Sequence, residues 1–170
     1  MSRSMSSPGF VRKTVSSEGE LALQQQLIDS VNAEGGYGRK VSHPLKKGVS
    51  DLLIQVKGYS MVQIECKDLK QLSPGFNVLS GITDHQKEHV EALNEAAQGL
   101  VAFYCFFVNV GGNPRAFFIP HYVERVTYQD ACDYPSIARA GASRNTYSWP
   151  GLSAVFHALG VMRSVENIIR

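Results

Sequence analysis

A chain of 170 residues, 44% of them hydrophobic, can bury one sizeable core and leaves little material for a second full domain. With 17 Lys and Arg against 15 Asp and Glu, it has no overall field to steer it onto a polyanion, so any nucleic-acid surface must be local. Cys66, Cys105 and Cys132 are widely spaced and form no C-x-x-C pair, which argues against a zinc site or disulfide framework and for an intracellular, cytoplasmic protein.

The serine-rich opening, with Arg3, Arg12 and Lys13 spaced through it, predicts a flexible basic arm over 1–16 ahead of a single domain over 17–170. From 17 to 31, Leu23, Leu27, Ile28 and Val31 recur at three- and four-residue steps, an apolar helical stripe that the glycines at 35, 36 and 38 then end. A loop with Lys46, Lys47 and Gly48 leads to DLLIQV and, after KGYS, to MVQIECK, two strand-length runs that read as a hairpin. Thr83 opens a second helix through Val90, Leu93, Ala96 and Ala97. LVAFYCFFVNV follows, apolar enough for a strand covered on both faces, then a turn at NVGGNP and a strand at RAFFI. Near the end, GLSAVFHALGVM predicts a short amphipathic helix. The 100–108 run is too short to cross a bilayer. The element order predicts an α/β fold with a mixed central sheet flanked by helices.

Chemistry concentrates on the predicted hairpin. Side chains alternate across a strand, so Glu65 and Lys67 share the polar face while Cys66 points into the core. Pairing would bring Asp51 to the same face. Two carboxylates so close repel, and burial raises their pKa values, which a divalent cation would relieve. Mg²⁺, with Mn²⁺ as a substitute, suits a hard-oxygen site with few protein ligands. Lys67 could then hold an attacking water or stabilise charge on phosphorus, and desolvation and a metal would lower its pKa. The plain alternative is a cross-strand salt bridge.

On the first helix Glu20 shares the stripe of Leu23 and Leu27, as a catalytic acid or as a first-turn acid favoured by the helix dipole. Gln86 shares the inward face of Val90 and Leu93. Its carbonyl oxygen could bind metal, or Thr83 and Gln86 could form a capping box that turns it back on the Thr83 amide. His85 and His89 share a helical face, but no third ligand accompanies them to bind zinc.

These residues match a known pattern. GVSDLLIQ followed by QIECKDLKQ resembles the GxxD…(D/E)xK core of PD-(D/E)XK nucleases. The segment 81–120, with Gly81-Ile82, His85-Gln86, His89, Gly99 and Phe103 in matching places, is similar to the Holliday junction resolvases of the RecU type. The likeness spans Gly48 to Pro120. It implies a restriction-endonuclease-like fold and a homodimer that cuts four-way junctions with magnesium, with Asp51, Glu65 and Gln86 as metal ligands and Lys67 as transition-state stabiliser. Where that family carries Thr two residues before the Asp, this chain has Val49, with Ser50 an imperfect substitute. The family's junction-entering stalk has no clear counterpart, although KQLSPGFNVLSG could form a small protrusion.

The expected function is Mg²⁺-dependent cleavage of Holliday junctions or other branched DNA, by a protein that a phage or other mobile element could encode. DNA contacts are expected from Arg12, Lys13, Lys46, Lys47, Lys70, His85 and Arg144. Arg139, Arg144, Tyr147 and Trp149 could also touch phosphates and bases, or form an exposed loop with core-anchoring aromatics. The alternatives are a restriction-like, repair or VRR-NUC-type nuclease on the same fold, and a non-catalytic DNA-binding module.

Overall fold

The computed structural model describes residues 19–41, 48–69, 73, 75–110, 112–131, 133–141 and 148–164. The chain runs α1 (Glu20–Ala33), β1 (Tyr37–Lys40), β2 (Leu52–Gln55), β3 (Val62–Leu69), α2 (Asp84–Ala97), β4 (Ala102–Val110), β5 (Asn113–Pro120), α3 (Tyr128–Ala131), β6 (Ser136–Ala138) and α4 (Leu152–Leu159), with a 3-10 turn at Val78–Gly81. The six strands form one sheet in chain order. Only β3 and β4 run parallel; the other neighbours are antiparallel. A parallel pair needs a crossover, which α2 supplies. The fold is thus α/β with a mixed sheet.

Alternation along the strands fills both faces. Ile64, Cys66, Phe103, Cys105, Phe107 and Phe118 face one side and pack with Leu23, Leu27, Ile28 and Val31 of α1 and Val155 and Phe156 of α4. Tyr104, Phe106, Phe117 and Ile119 face the other and pack with Val90 of α2, Val78, Leu79 and Ile82. This double covering explains why β4 is apolar at nearly every position. Helix α2 starts where Thr83 and Gln86 close a capping box and ends at Gln98, whose left-handed backbone (φ 54°) caps the last turn.

Several expectations need correcting. The glycines after α1 do more than stop a helix: Gly35 and Gly36 lead into β1, which contains Gly38 and which antiparallel pairing joins to β2. A side chain at Gly36 would meet the Gln55 carbonyl at 2.5 Å, so strand and helix approach too closely there for any other residue. The described part of KQLSPGFNVLSG does not protrude as a whole, because Val78 and Leu79 are buried and Asn77 Oδ1 accepts the amides of Leu79 and Val126. Arg139 is 7% exposed and donates to Gln26 of α1 at 3.3 Å, which removes it from the possible phosphate contacts. Trp149 is buried against Phe107, as a core-anchoring aromatic; Arg144 and Tyr147 lie outside the described residues. Among the described residues no helix is long and apolar enough to cross a membrane.

Candidate metal centre

The centre forms where β3 outruns its neighbour. Pairing of β2 with β3 ends at Leu52 opposite Ile64, while β3 continues to Leu69. Alternate amides of a strand point to the same edge, so beyond Ile64 the amides of Cys66 and Asp68 face a side where the described residues supply no strand. Two carboxylates take them. Asp51 Oδ2 accepts the Cys66 amide at 2.8 Å, and Glu20 Oε2 accepts the Asp68 amide at 3.0 Å. The polar side chains of the expected centre are thus anchored where the sheet leaves donors open.

Asp51 continues the hairpin register by one residue and so stands opposite Glu65. Glu65 is only 1% exposed. Its Oε1 accepts from Lys67 Nζ at 3.2 Å and from the Gln86 amide nitrogen, while its Oε2 is sealed from solvent with no donor among the described residues. Burial first, and then the Asp51 charge, push the Glu65 pKa up to about 8, and Lys67 pulls against them. The neighbouring Asp51 carboxyl adds a smaller rise beyond that of its charge. Ionising Glu65 puts a second negative charge beside Asp51 on a side chain that is itself sealed from water.

Lys67 is the open side, with its side chain 26% exposed. Burial works to lower its pKa, but Glu65, assisted by Asp51 and Glu20, outweighs this and the net shift is upward. Burial thus acts in the expected direction, and the surrounding carboxylates more than offset it and hold the amine as an ammonium.

Gln86 joins the cluster by the opposite end of its amide from that expected. Its Oε1 accepts the Thr83 amide at 2.9 Å in the capping box, and its nitrogen faces Glu65. The Thr83 N–H can only donate, so it excludes the reverse orientation of the amide. Gly48 brings this helix start to Asp51. It has φ +85°, and a side chain there would lie 2.8 Å from the His85 carbonyl oxygen; the glycine of the GxxD pattern thus lets the loop lie directly on α2.

The remaining candidates fall in different places. His85 is exposed on the first turn of α2, 3.7 Å from Glu88, and His89 Nε2 faces Gln63 Oε1 at 3.0 Å, so the two imidazoles do not converge. Ser50 is buried, and its Oγ has no hydrogen-bonding partner among the described residues. Arg12, Lys13, Lys46, Lys47, Lys70 and Arg144 lie outside the described residues. Two residues that the sequence did not single out adjoin the centre. Tyr104 lies beside Glu65 in the β3–β4 register, its pKa pushed up to about 12 by burial and then by the Glu65 and Glu91 charges. Gln24, 1% exposed, donates to Glu20 Oε1 at 3.2 Å. A glutamine inside a helical apolar stripe was the available signal.

The described residues contain no group of three or more His, Cys, Asp and Glu arranged to hold a metal. The donor set instead fits a cation that needs few protein ligands. A sealed Glu65 oxygen without a donor among the described residues, with Asp51 at the next register position of the hairpin, meets the hard-oxygen preference of Mg²⁺, which commonly retains waters and takes only one or two carboxylates. No protein-family model matches this chain, and no curated protein matches it.

Proposed function

We propose that this protein is a Mg²⁺-dependent endodeoxyribonuclease of the PD-(D/E)XK type, with a restriction-endonuclease-like fold. We further propose that it acts as a homodimer on four-way junctions or other branched DNA. The observation that carries the reading is the state of Glu65: a carboxylate 1% exposed, opposite Asp51, with one oxygen lacking a donor and a lysine at its mouth. A salt bridge for stability alone would leave neither that oxygen nor the second carboxylate, since burying like charges together costs free energy. The order β3, α2, β4, with the Glu65–Lys67 strand followed by the His85–Gln86 helix, also agrees with the resolvase resemblance.

Asp51 and Glu65 would hold the cation, completed by waters and a phosphate oxygen, with Mn²⁺ able to replace Mg²⁺. When bound, it would supply positive charge that polarises the scissile phosphate and makes a water more acidic. Lys67, partly exposed and paired with Glu65 Oε1, would orient the attacking water or balance charge developing on phosphorus at the mouth of the site. Gln86 restrains Glu65 from α2. The exposed His85 sits one residue away, placed to meet a backbone phosphate. A twofold dimer would present two such centres to the opposed strands of a junction.

The test is incubation of the protein and its Lys67→Ala variant with labelled four-way junction, Y-fork and linear duplex in Mg²⁺. Cleavage by the parent and its loss in the variant are expected, with the junction cut in preference. Failure to cut any of the three overturns the nuclease reading; equal cutting of the linear duplex overturns the branched-DNA part alone.

A further inference from the structure

We propose that Gln24 is a positioning residue for this centre: by holding Glu20 it fixes the part of β3 that carries Lys67. The inference rests on the nuclease reading for its kinetic consequence, but its structural premise stands apart.

Gln24 lies within the stripe of Leu23, Leu27 and Ile28 and is 1% exposed. Its nitrogen donates to Glu20 Oε1 at 3.2 Å, and its own Oε1 is sealed with no donor among the described residues. A buried acceptor without a donor costs stability. Leu or Met at 24 would continue the stripe without that cost, so the glutamine is poorly explained by packing alone. Its partnered atom points at Glu20.

Glu20 is the first residue of α1. A long side chain in a first turn has many rotamers, and a neighbour one turn later on the same face can select one of them. The rotamer held here sends Oε2 to the Asp68 amide at 3.0 Å. Asp68 follows Lys67 directly, on the segment of β3 that has outrun β2. Gln24, Glu20 and the Asp68 amide therefore form a relay from a packed helix to a strand edge that β2 leaves unpaired, and Lys67 sits at its end. Gln24 itself would touch neither substrate nor cation.

The experiment uses the full chain and Gln24→Met, alone and combined with Glu20→Ala. Three quantities are measured: thermal midpoint, hydrogen exchange at the Asp68 amide, and kcat and KM on labelled four-way junction in Mg²⁺. Gln24→Met should keep or raise the thermal midpoint, because it removes the donorless acceptor. It should speed exchange at Asp68 and lower kcat by about 10- to 100-fold with little change in KM, the range typical of groups that orient a metal site. In the Glu20→Ala background, where the side chain that accepts the Asp68 amide is gone, it should add little, since both act through one contact. Unchanged exchange at Asp68 overturns the proposal, as does an equal loss in both backgrounds. If the parent cuts no DNA, the function reading fails, and the exchange rate at Asp68 still decides the role of Gln24.

Discussion

The Asp51 carboxylate occupies the place of a missing strand: its Oδ2 accepts the Cys66 amide at 2.8 Å, just beyond the point where β2 stops pairing with β3. The bond fixes Asp51 beside Glu65 through the backbone, without reliance on the packing of either side chain. It also makes the aspartate both structural and charged, and substitution can separate the two roles.

Asp51→Asn keeps an oxygen for the Cys66 amide and removes the negative charge. Stability without divalent cation should hold or rise, because Glu65 loses a neighbour that raises its pKa. Stabilisation by added Mg²⁺ and cleavage should both be lost, cleavage by roughly 10²-fold or more. Asp51→Ala should in addition cost about 1–3 kcal/mol, for an amide left unpaired. Thermal melts with and without Mg²⁺ check both variants.

Glu65 makes stability depend on pH. Its folded pKa of about 8 lies above the ordinary value of 4.5, so the folded state binds the proton more tightly. The associated stability is fully present below about pH 4.5 and is lost as pH rises through about 8. Melts of the cation-free protein should therefore fall between pH 6 and 8.5 by more than those of Glu65→Gln. A bound divalent cation favours the ionised carboxylate, so binding at pH 7 should release protons, and affinity should increase toward pH 8. Calorimetry in buffers of different ionisation enthalpy measures the release; binding without it would mean that Glu65 is not a ligand.

Lys67→Met removes a donor from Glu65 Oε1 and the ammonium from the mouth of the site. Cleavage should fall by about 10²- to 10³-fold, while Mn²⁺ still binds, since the lysine is not a ligand. Competitive titration of Mn²⁺ alongside single-turnover cleavage separates the two effects.

Gly48→Ala forces a side chain into a left-handed backbone, 2.8 Å from the His85 carbonyl oxygen. A cost of about 1–3 kcal/mol is expected from the backbone alone together with the displaced helix start. Gln86 should move with that start, so cleavage should drop further than lost stability explains. Denaturant unfolding and cleavage well below the melting range check this.

Much of this arrangement was legible from periodicity. Alternation in MVQIECK put Glu65 and Lys67 on one face and Cys66 on the other, because a pleat allows no other outcome. The stripe of Leu23, Leu27, Ile28 and Val31 fixed the inward side of α1, and T-x-x-Q marked the start of α2. β1 was hidden because Gly35 and Gly36 before it and Gly38 within it carry the usual signal for a turn. Only the three-dimensional approach of Gln55 and Val31 to Gly36 shows that this glycine is there for space. The pairing of the Asp68 amide with Glu20 spans 48 positions, and no local pattern reports it. Gln86 was ambiguous for a different reason: a glutamine has two ends, and the structure uses both, one in the cap and one at Glu65. The upward shift of Lys67 likewise depends on how many carboxylates surround it, which only the assembled fold sets.

The proposed chemistry requires Asp51 and Glu65 to share one divalent cation. Anomalous scattering from crystals of the protein soaked in Mn²⁺ locates that cation. A single peak within coordinating distance of both carboxylates, absent in Glu65→Gln, is the predicted result. A map with no peak there, or with manganese bound only elsewhere, would contradict it.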